Sequence, residues 1–257
     1  MRNLGYRIYP LNTGIITVDQ GAYCTLGKGI GKKVDIPATA WYVTDGNEKI
    51  LVDTGMCDTA RANRWHHEGF QPEGARIDEQ LKTRVGISPA EIQVIFFTHL
   101  HWDHCSNMKL FTKAKLYVQR RELEFALNPP LPPYYRSYEA SILGLEPPYK
   151  DCSFEILDGE FKYNHDIRLF PTPGHSVGHQ SVSIRTQKGV IVIAGDAVFV
   201  EENMKGSPEE LLEFIPIGRY VNYFDMWNSF KEIKRRADLV LPGHDMRVFD
   251  RKAYPSK

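Results

Sequence analysis

Residues 98–104 read Thr98-His99-Leu100-His101-Trp102-Asp103-His104. Three imidazoles and a carboxylate this close together make a poor core. Each buried polar group needs a partner, and clustered rings repel one another once protonated. A metal ion removes the conflict by taking the imidazole lone pairs. Three more candidates stand in matching settings: His175 after Thr172-Pro173-Gly174, Asp196 after Gly195, and His244 after Pro242-Gly243. The glycines allow close backbone approach and let each side chain aim outward. Five histidines and two aspartates suffice for two metals sharing a carboxylate. Nitrogen and carboxylate donors suit Zn²⁺, while Fe, Co and Mn accept the same donors. Of the other histidines, His179 stands four residues beyond His175 and is expected to support the structure or a ligand. His66, His67 and His165 have no such setting and are expected at the surface.

Strands must deliver these residues. An apolar run at 94–97 ends on the first motif, and β-rich runs at 167–170, 190–194 and 239–241 precede His175, Asp196 and His244. Earlier strands are expected at 6–9, 14–18, 39–44 and 49–52, the last two joined by an Asp45-Gly46-Asn47 hairpin turn. Runs at 115–118, 154–157 and 180–185 complete the strand set. Helices are expected at 77–85, 121–127 and 223–236, the last with Phe224, Trp227 and Phe230 on its apolar stripe. A glycine-rich stretch at 21–37 and a Pro/Tyr-rich stretch at 128–149 read as long loops, of the kind used as lids, binding loops or subunit contacts. Strands and helices do not alternate regularly, which favours a layered α/β protein with antiparallel or mixed sheets over an open parallel sheet. No repeat or linker divides the chain, so one domain is expected.

The 257 residues carry 32 Lys+Arg against 32 Asp+Glu, and this zero net charge argues against nucleic acid or an anionic membrane as partner. Hydrophobic residues at 42% and charged residues at 25% match a soluble globular chain. Cys24, Cys57, Cys105 and Cys152 are widely spaced and form no CxxC pair, which suggests reduced thiols. With no signal-peptide pattern and no long apolar segment, a cytoplasmic location is expected.

The words HLHWDH at 99–104, TPGHSVGHQS at 172–181, AGDAVF at 194–199 and PGHD at 242–245, with ILVDTGM at 50–56, resemble the metallo-β-lactamase superfamily. Within it they are most similar to the N-acyl homoserine lactonase group. The resemblance implies an α/β (α+β) fold, an αβ/βα four-layer sandwich with mixed sheets, as a single hydrolase domain over residues 1–257. It implies two Zn²⁺, one held by His99, His101 and His175, the other by Asp103, His104 and His244, with Asp196 bridging them. The implied reaction opens a lactone ring, most simply that of an N-acyl homoserine lactone, by attack of a metal-bridging hydroxide. Asp103 would pass a proton to the departing alkoxide, and Asp53 and His179 would support the ligands. Homodimers are common in such families.

One departure stands out. These lactonases usually carry a tyrosine three residues past the bridging aspartate, and this chain has Phe199. Tyr220 or Tyr223 could substitute as donor. Trp102, Phe199 and Tyr223 are the expected substrate contacts, and Trp102, Phe199 and Tyr134-Tyr135 could stack on an aromatic lactone, which with other cyclic esters is the first competing substrate. A glyoxalase II-like thioester hydrolase is the second, with Arg247, Arg251 and Lys252 for its anionic tripeptide. Against it, Cys105-Ser106-Asn107 replaces the glycines often found there. A nuclease lacks basic charge and a nucleic-acid domain, and a binding protein on a retired metal site would have lost ligands that are all present here.

Overall fold

The computed structural model describes residues 5–256. Two mixed sheets form its centre. The strands are β1 (Arg7–Asp19), β2 (Lys33–Thr44), β3 (Ile50–Val52), β4 (Gly69–Phe70), β5 (Val94–Phe96), β6 (Lys115–Gln119), β7 (Phe154–Leu157), β8 (Phe161–Lys162), β9 (Ile167–Pro171), β10 (Gln180–Thr186), β11 (Gly189–Gly195) and β12 (Leu239–Pro242). The helices are α1 (Thr59–Trp65), α2 (Ile77–Gln80), α3 (Trp102–Cys105), α4 (Arg120–Leu127), α5 (Pro132–Tyr135), α6 (Glu202–Lys205) and α7 (Tyr223–Arg236). The first sheet runs β4-β1-β2-β3-β5-β6-β7 and the second β12-β11-β10-β9-β8.

Strand direction explains where the site forms. In the first sheet β3, β5, β6 and β7 are mutually parallel. In the second, β11 and β12 are parallel, and β9 shares their direction because β10 runs antiparallel to both β9 and β11. The segments after β3, β5, β9, β11 and β12 therefore leave from the carboxyl ends of like-directed strands, and these segments hold Asp53 and every candidate ligand.

Apolar faces hold four layers together. Between the sheets, Ile8, Trp41, Val52 and Phe96 meet Leu169, Val182, Ile191 and Leu241. Outside the first sheet, Leu51, Ile95 and Val118 pack against Ile77, Leu81 and Ala126 of the α2 and α4 region. Outside the second, Phe170, Val192 and Ala194 pack against Met226, Phe230 and Ile233 of α7. Helix α7 forms where expected. Asn222 caps it by accepting from the Asp225 N–H, and Lys234, Arg235 and Arg236 in its last turn oppose the dipole. Its buried face is Met226, Ser229, Phe230 and Ile233, whereas Phe224, expected on that stripe, is 81% exposed.

Other local expectations change. The runs at 6–9 and 14–18 are one strand, β1, with a register shift between Asn12 and Ile15. Gly14 lies in that shift, where a Cβ would overlap the Met56 sulfur. The expected loop at 21–37 is shorter, because residues 33–37 already pair in β2. The 128–149 stretch stays largely irregular around α5. Helix α1, capped by Asp58 accepting from the Arg61 N–H, has no sequence counterpart above.

Candidate metal centre

Two groups of donors form at the strand ends. One is His99, His101, His175 and Asp196, and the other is Asp103, His104 and His244; within each, the donor atoms lie within 4.8 Å of one another. All seven residues are buried. Asp196 stands between the groups. Its Oδ2 lies 3.3 Å from His175 Nε2 and 3.8 Å from His99 Nε2, while its Oδ1 lies 3.0 Å from both His104 Nε2 and His244 Nε2. His244 Nε2 also lies 3.2 Å from Oδ2. His101 turns Nδ1 inward, 3.0 Å from His175 Nε2. Asp103 Oδ2 lies 3.7 Å from both His104 Nε2 and His244 Nε2.

The outer nitrogens fix the tautomers. His175 Nδ1 lies 2.8 Å from the Arg219 carbonyl and His244 Nδ1 2.8 Å from the Pro37 carbonyl. A carbonyl only accepts, so both Nδ1 atoms carry hydrogen and both Nε2 lone pairs face the centre. The Thr98 hydroxyl donates to Asp53 Oδ2 at 2.7 Å and therefore accepts from His99 Nδ1 at 3.0 Å, leaving the His99 Nε2 lone pair inward. Asp53, in the left-handed region at φ 60, also takes the Thr98 N–H at 2.8 Å and lies 2.9 Å from His104 Nδ1. His179 Nε2 accepts the Asp196 N–H at 3.0 Å and its Nδ1 meets Thr172 Oγ1 at 2.9 Å. Burial holds His179 down at about 3, so it stays a neutral acceptor.

The electrostatics divide along the same line. Burial, then neighbouring imidazoles, keeps His99 and His101 far below the usual histidine range, and burial lowers His175 too, so these rings are neutral donors. Burial also acts against protonation of His104 and His244, but carboxylates outweigh it: Asp196, Asp103 and Asp53 at His104, and Asp196 and Asp103 at His244. This is a place where positive charge is stabilised. The residues fit a metal pair by a further criterion. Among the described residues, His99 Nε2, His104 Nε2 and Asp196 Oδ1 are buried without a hydrogen-bond partner. His104 Nε2 and Asp196 Oδ1 are 3.0 Å apart and still do not align as donor and acceptor. Orphaned polar atoms that converge on one point are what a coordinated cation satisfies.

Above the centre is a narrow cavity of about 40 Å³. Phe199 covers the ligands, with its ring centroid 5.5 Å from that of His175 and 4.7 Å from that of His244. Trp102 is also in the wall and stacks on His66 at 4.3 Å. Tyr223 does not line the cavity. It opens α7 with 36% exposure and stacks along the helix on Trp227, on a different side of the first turn from the buried Met226. Tyr220, 39% exposed, pairs edge-on with it and is likewise absent from the wall. Tyr134 packs on Phe125 instead. Arg247 is engaged by Glu202 and Asp245, and Arg251 lies over the Tyr254 ring. Both line another groove.

Four polar wall residues escaped the sequence: Tyr23, His67, Ser137 and Arg219. His67, expected at the surface, meets Tyr23 edge-on at 5.0 Å. The His66 side chain is 1% exposed and lies 3.0 Å from Glu139. Of the three histidines expected at the surface, His165 alone is there, its side chain 83% exposed.

The sequence profile of the Metallo-beta-lactamase superfamily matches residues 35–244, from β2 to the last candidate ligand. The chain belongs to this superfamily. An N-acyl homoserine lactonase of Bacillus thuringiensis is 29% identical over 231 residues, covering 84% of each chain. The N-acyl homoserine lactonase AttM of Azorhizobium caulinodans is 28% identical over 258 residues, covering 93% of each. Among solved structures, an N-acyl homoserine lactone hydrolase with N-hexanoyl-L-homoserine bound at its catalytic metal centre superposes with a TM-score of 0.79 at 25% identity, covering 98% of both chains. The two-sheet architecture expected from the sequence is that of these neighbours. As a superfamily member with this donor set, the chain is a metal-dependent hydrolase.

Proposed function

We propose that this chain hydrolyses a small-molecule lactone, N-acyl homoserine lactone foremost, at a dinuclear zinc centre. The observation that carries the reading is Asp196, which offers one oxygen to each of two donor groups. The lactonases described above, one of them with a ring-opened product at its metal centre, support it. His99, His101 and His175 would hold one ion and Asp103, His104 and His244 the other, with Asp196 between the two groups. When bound, the pair supplies a hydroxide nucleophile at neutral pH and Lewis-acid polarisation of the carbonyl.

The remaining chemistry belongs to the chain's own side chains. The Asp103 carboxylate lies in the cavity wall beside the donors and is the group placed to take the proton of the attacking hydroxyl and pass it to the alkoxide leaving the opened ring. Phe199 and Trp102 exclude water from the ligands. Tyr23, His67, Ser137 and Arg219 supply polar contacts for the substrate where Phe199 cannot. The apolar pair Trp102 and Phe199 keeps an aromatic lactone as the second reading. A glutathione thioester is disfavoured, because Arg247 and Arg251 lie outside this cavity.

Residues 1–257 act as one domain in this reading, and the ligand loops of both sheets meet in one centre. The cysteines are all unpaired, in keeping with a cytoplasmic setting. Among the described residues no helix is long and apolar enough to cross a membrane. A homodimer is proposed on the resemblance alone. The deciding experiment is a panel of short- and long-chain acyl homoserine lactones, aromatic lactones and S-lactoylglutathione, read by mass spectrometry for addition of water. Hydrolysis of homoserine lactones is expected, and cleavage of the thioester alone would overturn the proposal.

A further inference from the structure

Behind the ligand loops lies a carboxylate that the donor set does not use. Glu122, in the first turn of α4, is 0% exposed. Its Oε1 accepts from the Leu100 N–H and the Tyr138 hydroxyl, each at 3.0 Å. Its Oε2 accepts from the Ser176 hydroxyl at 2.6 Å and the Gly178 N–H at 3.1 Å. Leu100 stands between His99 and His101, and Ser176 follows His175. Tyr138 comes from the irregular 128–149 stretch and sets its ring edge-on to His101 at 4.6 Å. The second loop approaches so closely that a Cβ on Gly178 would overlap the Glu122 backbone. Burying a carboxylate is unfavourable, and four donors from three segments offset that cost here only in this arrangement of the loops.

We propose that Glu122 is a positioning residue for the His99, His101 and His175 group, fixing the spacing between the loop after β5 and the loop after β9. Asp53, by contrast, touches both groups: it meets His104 Nδ1 directly and orients His99 through the Thr98 hydroxyl. Glu122 therefore governs one of the two metal affinities, whereas Asp53 bears on both. The inference rests on the dinuclear reading given above.

Glu122→Gln keeps the size of the side chain but replaces an acceptor with an amide donor, which then faces donors whichever way it turns. The measurement is competition for Zn²⁺ between the protein and a chromophoric chelator, in wild type, Glu122→Gln and Asp53→Asn. Wild type should take up two Zn²⁺. In Glu122→Gln one binding event should weaken by roughly 10- to 100-fold, the scale of a lost partner to a metal-ligand shell, while the other holds. Asp53→Asn, which disturbs both His104 and the Thr98–His99 contact, should weaken both events. Should Glu122→Gln fail to fold, Ser176→Ala and Tyr138→Phe, which leave the carboxylate in place, should each weaken the Glu122-dependent event by a smaller factor. Unchanged affinities in folded Glu122→Gln, or equal weakening of both events in that variant, would overturn the inference. Fewer than two Zn²⁺ in wild type would instead remove the dinuclear reading, and the response of the remaining site would still judge Glu122.

Discussion

Phe199 stands three residues beyond Asp196 with its ring against two candidate ligands, His175 and His244. A phenyl group excludes water there but offers no hydrogen bond to charge developing on a carbonyl oxygen. A hydroxyl added at this position would supply one. Phe199→Tyr should therefore raise kcat/KM toward acyl homoserine lactones, by up to about 10²-fold if the new donor reaches the oxyanion. Steady-state kinetics on homoserine and aromatic lactones check this. Gain on the first with loss on the second would make position 199 a selector of substrate. No gain on any lactone would mean that wall groups such as Tyr23 or His67 already provide the bond. The ligands themselves answer differently. His101→Ala and Asp196→Ala should abolish hydrolysis and lower the metal content while the far-UV circular dichroism keeps its native shape, because strand ends rather than core residues are altered. Full turnover in either variant would sink the assigned donor set.

Strands, turns and the irregular 128–149 stretch decide what reaches that site. Ser137 of that stretch and Arg219 both border the cavity beside the centre. Few polar contacts tie them in place. Arg219 Nη2 donates to Ser137 Oγ at 3.1 Å and to the Pro133 carbonyl at 3.4 Å, and the Trp102 N–H donates to the Ser137 carbonyl at 2.9 Å. Arg219→Ala should speed amide hydrogen exchange across residues 132–138 and lower stability by no more than about 1 kcal/mol, since the lost bonds are few and partly exposed. Unchanged exchange there would show that other contacts hold the segment. The seven donors were legible in the sequence because each sits in a short word at a strand end, where composition, glycine and periodicity all act locally. Asp53 was legible for the same reason. Glu122, Tyr23, His67 and Arg219 were not. Their roles exist only once distant segments converge, and Glu122 reads locally as an ordinary acidic residue in a first helical turn. Tyr223 failed in the opposite sense, because adjacency to the site cannot be read from a helix start that faces solvent.

Across the whole molecule, the centre joins two sheets that otherwise meet through an apolar core and a few polar contacts such as Gln119 with Gln180. The first sheet supplies His99, His101, Asp103 and His104 after β5, while the second supplies His175, Asp196 and His244 after β9, β11 and β12. Ions held as proposed would therefore be cross-links between layers as well as reagents, and would favour the folded state because the unfolded chain holds no assembled site. At a free-metal concentration of 100 times Kd, one ion adds about 2.7 kcal/mol. For a chain of this size that corresponds to roughly 5–11 °C in Tm. Thermal unfolding followed with and without a strong chelator should show a fall of at least this order, reversed when Zn²⁺ is restored. Weak binding of metal by the unfolded histidines and cysteines would shrink the shift without changing its sign. A Tm indifferent to chelation, in protein verified to have lost its metal, would mean that the inter-sheet core around Trp41, Phe96 and Leu169 alone fixes the layers, and that the rim adds chemistry but no stability.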